Sequence, residues 1–141
     1  MAAPRRPTAA PTPTTDTAVT TSDSLSLLQR RVLDAIAAAS PEPEVLMAQL
    51  AGAKLGPTEL TGVGFFLPIE VPESAPIMAP GPYGIGDVVM ESDTMSAGAG
   101  FVLFVVGGRM VTLEGYAFDG EWPDDLGTYR LLRATMDHAS L

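Results

Sequence analysis

The stretch GFVLFVVGGRMVTLEGYAFDGEWP, Gly100 to Pro123, decides the fold. Two apolar runs flank Gly107-Gly108, and a two-residue glycine turn supplies the positive φ angles that a type I′ hairpin needs. Counted outward from that turn as an unbroken ladder, Val106 stands opposite Arg109, Val105 opposite Met110, and Phe101 opposite Glu114. This register predicts a core face of Val102, Phe104, Val106, Val111, Leu113 and Ala117. The other face then holds Phe101, Leu103, Val105, Met110, Thr112, Glu114, Tyr116 and Phe118. It is too apolar to be simply solvated, and is expected to be covered in part by helix, loop or partner, or to line a groove.

Upstream, Val63, Phe65, Leu67, Ile69 and Val71 alternate with Gly64, Phe66, Pro68 and Glu70, which is strand periodicity. Pro68 inside the run argues for an edge strand or a bulge. PESAPIMAPGPY follows, with prolines at 72, 76, 80 and 82, and reads as a surface loop. Ile85 to Glu91 is a third apolar run, and SDTMSAGAG after it reads as a second loop. Near the end of the chain, Thr128–Ala134 reads as a last strand rather than a short helix.

Before the strands come two helical patterns. Leu25, Leu28, Val32 and Ile36 repeat at helical spacing, with Leu33 beside them, predicting a helix from Ser24 to Ala39. Ser40 as N-cap, Pro41 at the first position, and Glu42 and Glu44 near the positive end of the dipole predict a second helix. Leu46 and Leu50 form its apolar stripe, and Gly52 ends it. Each stripe needs a surface to pack on. The expected fold is therefore α+β: two N-terminal helices on a mostly antiparallel sheet of four to six strands. Residues 1–22 are nearly all Ala, Pro, Thr and Ser and are expected to be a disordered tail, leaving 23–141 as a single domain.

Composition narrows the functional classes. The chain has no cysteine, which removes disulfides, thiolate catalysis, zinc ribbons and iron–sulfur clusters. His138 is the only histidine, so Ser-His and Cys-His nucleophile pairs lose their support. No metal site and no cofactor are expected. The tail lacks the apolar run of a secretory signal, and nothing approaches the ~20 apolar residues of a membrane span, so a cytoplasmic location is expected, with a transit peptide as the alternative. Seventeen acidic residues stand against eight basic ones, a net charge of −9, with Lys54 the only lysine. Such a surface repels phosphate backbones and anionic lipid and suits solubility or a basic protein partner. Nucleic acid and membrane are therefore not expected partners.

Glu114 is the sharpest candidate. A carboxylate on a half-covered face suits general acid–base work, or it accepts a hydrogen bond from Tyr116, or pairs with Arg130 or Arg133. The structural pairing is the preferred expectation, because neither a histidine nor a second carboxylate accompanies it in the motif. Asp119, Glu121, Asp124 and Asp125 around Trp122-Pro123 lack the D-x-D-x-D-G spacing of a calcium loop and read as a solvated turn. Trp122 is expected to cover the end of the sheet. The glycines of GPYGIG and GAG do not form G-x-G-x-x-G and precede strands, so no phosphate cradle is expected.

Together these residues resemble a group of small bacterial proteins of unknown function. Their pattern is a G-x-G-F strand ending in Val-Pro, a G-F-x-L-F-V strand, a tight turn, and an L-E-G-Y segment running to Trp-Pro. Here it falls on Gly62, Gly64, Phe65, Val71-Pro72, Gly100-Phe101, Leu103-Phe104-Val105, Leu113-Glu114-Gly115-Tyr116 and Trp122-Pro123. The resemblance implies a bacterial, cytoplasmic domain and transfers no activity. Three readings of function follow from the whole chain. The first is a non-catalytic acidic protein-binding module, for instance an immunity-type inhibitor of a basic toxin. The second is a small-molecule binding domain using the semi-apolar sheet face and the proline loop. The third, from which the residues lean away, is an enzyme using Glu114. Phe101, Glu114, Tyr116, Trp122 and Tyr83 are the expected ligand- or partner-binding residues.

Overall fold

Alternation of apolar residues and a glycine turn build most of this molecule, a computed structural model of which describes residues 21–80 and 83–133. Of the expected tail of residues 1–22, residues 1–20 lie outside the described residues, as do His138 and the side chains of residues 21–24, Tyr83 and Asp87, while Thr21 and Ser22 already belong to the first helix, ahead of the expected start at Ser24. The chain runs α1 (Thr21–Ala39), α2 (Pro43–Gly52), β1 (Lys54–Leu55), β2 (Glu59–Leu60), β3 (Gly64–Glu70), β4 (Tyr83–Ser92), β5 (Met95–Val106), β6 (Arg109–Ala117) and β7 (Tyr129–Arg133). The fold is α+β: two helices pack on one face of a seven-stranded open sheet whose pairings are all antiparallel. The order is β1-β3-β6-β5-β4-β7, with β2 also paired to β3. Seven strands exceed the expected four to six because β1 and β2 are two residues each.

The α1 stripe is as its spacing predicts. Leu28, Val32, Leu33 and Ile36 are fully buried, and α1 lies over β4 and β5 while α2 lies over β6. The helix boundary between them differs from expectation. The Ser40 hydroxyl donates to the Ala37 carbonyl at 2.9 Å, so Ser40 closes α1 instead of capping α2. The second helix starts at Pro43, where a fixed φ suits the first turn, with Glu42 before it.

β3 keeps its predicted alternation: Phe65, Leu67 and Ile69 are buried, and Phe66, Pro68 and Glu70 face outward. It is not an edge strand, since β6 pairs on one side and β1 and β2 on the other. Its outer neighbour is instead interrupted at Pro68. The Pro68 carbonyl takes a hydrogen bond from Gly56 at 2.8 Å, between the two short strands. The segment SDTMSAGAG is not a loop. Only Asp93 and Thr94 turn, and Met95–Gly100 continue as the first half of β5. Local propensity in this Ala- and Gly-rich stretch is low, and pairing with β4 and β6 on either side overrides it.

The central hairpin contains the main departure. Gly107 and Gly108 both have positive φ, 62° and 82°, and Val106 and Val105 pair with Arg109 and Met110 as counted. The ladder then slips by one: Phe104 pairs with Thr112, Leu103 with Leu113, Val102 with Glu114 and Phe101 with Gly115. Val111 is the extra residue of a β-bulge, so Val111 and Thr112 both lie on the outer side. A one-residue error in register exchanges faces. The slip moves Leu113 and Ala117 onto the face of Phe101, Leu103, Val105 and Met110; that face is the core, and Val102, Phe104 and Val106 are outward, the reverse of the sequence expectation. Beyond the bulge, Leu113 and Ala117 point inward as expected.

Candidate binding surfaces

Two surfaces arise from this register. The first is the sheet face turned away from the helices. Directly paired antiparallel residues share a face, so the register reads out its rows. One row is Phe66, Glu114 and Val102; the next is Pro68, Thr112 and Phe104; on the other side lie Gly64, Tyr116 and Gly100. Phe104 is 37% exposed, Val106 63% and Phe118 50%, with Phe66 and Val111 also exposed. Tyr116 lies against Gly100, where an added Cβ would stand 2.8 Å from its hydroxyl, and packs edge-on to Phe118 at 5.7 Å. In these three rows of β3, β6 and β5, Glu114 is the one charged side chain.

Glu114 has none of the expected partners. Among the described residues no hydrogen bond or ion pair holds its carboxylate. Arg130 pairs with Glu91 at 2.9 Å, and Arg133 lies with it on β7, three strands away from β6. At the spacing of adjacent strands that is roughly 14 Å. The structure therefore presents a half-buried, unpaired carboxylate flanked on both sides by apolar neighbours.

The second surface is a cleft of about 300 Å³ at the other side of the sheet. Its walls are Leu25 of α1, Leu60 of β2, and Trp122, Pro123 and Leu126 from the segment after β6. Glu121 and Asp124 also line it. Trp122 covers the end of the core, as its sequence neighbourhood suggests. Its ring meets Phe65 edge-on at 5.4 Å and Phe101 at 6.5 Å. This cluster needs Gly115, because a Cβ there would collide with the Phe65 ring. The Trp122 amide donates to the Gly62 carbonyl at 2.9 Å, fixing the segment to the start of β3.

Of the five expected binding residues, the structure brings Glu114 and Tyr116 together on the open face and places Trp122 in the cleft. Phe101 is 1% exposed and belongs to the core, on the face of β5 that the helices cover. The Tyr83 side chain lies outside the described residues. Sequence reasoning missed Phe104 and Val111 as surface residues, since nothing local marks Val111 as a bulge, while Phe66 faces outward as its alternation predicts. It also missed Gln49. This buried side chain donates to the carbonyls of Pro76 and Gly108 and accepts from the Met110 amide, at 2.8, 2.8 and 3.0 Å. Gln49 thereby ties the proline loop to the hairpin turn, with help from Glu42, which accepts from the Ala79 amide at 2.9 Å.

The class so defined is an α+β domain with one sheet face covered by helices and the other open. Compared with family models, curated proteins and solved structures, the chain finds no match. Among the described residues no helix is long and apolar enough to cross a membrane, and no three carboxylate or histidine side chains group to hold a metal ion.

Proposed function

We propose that the protein is a non-catalytic binding module that lays its open sheet face on a basic protein surface, as an immunity-type inhibitor does. The observation that carries this reading is the unpaired Glu114 set between Phe66 and Val102 on an exposed apolar face. An apolar patch rimmed by polar residues is a mark of a docking surface. A lone carboxylate within it is matched by an Arg or Lys ringed with apolar contacts. A second copy of the chain fits less well, because it would bring another Glu114 and another net charge of −9 against the first. That charge exceeds the magnitude of about 2 to 8 that serves the solubility of a small domain. Opposite charge on a partner would speed encounter, while the apolar rows would slow release. The resemblance in the L-E-G-Y and Trp-Pro segments is to proteins of unknown function and adds no activity to this reading.

The test uses the full chain as bait against a lysate of the source cell, beside Phe104→Ser and Glu114→Ala variants. A protein held by the wild type is then purified and its binding kinetics followed across a salt series. The expected partner is basic, associates at least ten-fold more slowly at physiological than at low ionic strength, and dissociates faster from both variants. A partner indifferent to salt, or held equally by all three chains, would sink the proposal, as would the absence of any retained protein.

A further inference from the structure

We propose that the cleft beside Trp122 binds a small free organic cation, an ammonium group carried on an apolar body. The cleft's volume of about 300 Å³ falls at the lower end of the range of small-molecule sites. Its apolar walls, from Leu25, Leu60, Pro123 and Leu126, suit a hydrocarbon body. Trp122 supplies the aromatic surface that attracts cations most strongly. The ring is braced by Phe65 and Phe101, so little freedom remains to be lost on binding. The sign of the ligand follows from the charged residues of the lining, Glu121 and Asp124, with no Arg or Lys in it among the described residues. An anion is repelled there. A neutral ligand gains from the walls but draws nothing from the two carboxylates. An ammonium uses the ring, the walls and the carboxylates together.

This site is independent of the open face. Trp122 packs on Phe65 and Phe101, which point to the helices, whereas Glu114 and Phe104 point the other way. It also carries its own reporter, because Trp122 is the only tryptophan in the chain. Its fluorescence and its indole N–H resonance each read the cleft alone.

The experiment titrates the full chain with three probes of one shape: 2-phenylethylammonium, 3-phenylpropanamide and 3-phenylpropionate. The ammonium is expected to shift the Trp122 signals saturably, with a dissociation constant in the millimolar range or tighter. The amide and the carboxylate should bind at least about ten-fold more weakly. In the double variant Glu121→Gln/Asp124→Asn the preference should shrink to about two-fold or less, with the melting temperature unchanged because both side chains are exposed. Equal binding of the three probes would reduce the cleft to an apolar crevice and overturn the proposal. So would a preference undiminished in the double variant, or no shift with any probe. A lysine side chain is the other source of an ammonium. If Nα-acetyl-lysine methylamide bound more tightly than butylammonium, the cleft would take a partner's side chain, and the free-ligand proposal would be wrong.

Discussion

The two faces of strand β5 carry nearly the same chemistry and have opposite fates. Phe101, Leu103 and Val105 on one face are almost wholly buried under the helices, while Val102, Phe104 and Val106 on the other remain partly or fully exposed. Hydrophobicity alone does not separate them. What separates them is the presence of Leu28, Val32, Ile36 and Leu46 over one face, and of nothing over the other among the described residues. The difference teaches that the open face is apolar without being core. Folding by itself leaves that face open.

The comparison breaks hardest at Leu103. Leu103→Ala empties a fully buried site and is expected to cost about 2–5 kcal/mol by chemical denaturation, whereas the adjacent Phe104→Ala should cost under about 1 kcal/mol. Equal costs would mean that the outer face is also packed in the folded chain.

The hairpin turn gives a second contrast. A Cβ at Gly108 would lie 2.7 Å from the Met78 carbonyl oxygen, while one at Gly107 would meet nothing within 4 Å. Both positions have positive φ, so both alanine variants carry left-handed strain of about 1–2 kcal/mol. Gly108→Ala adds the clash and should lose roughly 2–4 kcal/mol in all. A Gly108→Ala protein melting with Gly107→Ala would show that the proline loop does not rest on the turn.

Deleting Val111 sharpens the argument about register. The ladder on either side of the bulge is already in phase with the faces, so removal joins Met110 to Thr112 without turning any side chain over. Stability is expected to stay within about 1–2 kcal/mol of the wild type. Collapse of the fold on deletion would mean that the bulge sets the twist on which helix packing depends.

The smallest effect falls on Glu114. With no partner to lose, Glu114→Val should leave stability unchanged or raise it by up to about 1 kcal/mol, as a β-branched residue joins Phe66 and Val102 in their row. A loss above about 1 kcal/mol would reveal a structural role for the carboxylate.

Much of this was legible along the chain because it is local. Helical spacing from Leu25 to Ile36 gives α1, alternation from Phe65 to Ile69 gives β3, and Gly107-Gly108 gives the turn, since only glycine takes two positive φ angles without strain. The candidate site was legible in part. Glu114, Tyr116 and Trp122 stand out by residue type, but their surroundings do not.

The rest was decided in three dimensions. Both faces of β5 are apolar, so the sequence determined that a strand runs there, while the face it favoured as core, that of Val102, Phe104 and Val106, is the outer one. Helix cover made that choice, and the bulge at Val111 brings Leu113 and Ala117 to the covered side. Met95–Gly100 lacks any local strand signal and becomes strand only because β4 and β6 offer hydrogen-bonding edges on both sides. The arginines that could have neutralised Glu114 are placed on β7, and sheet order puts three strand spacings between them and the carboxylate. Residue identity and short-range geometry fixed the elements; strand order, one inserted residue and helix cover fixed which of their side chains meet water.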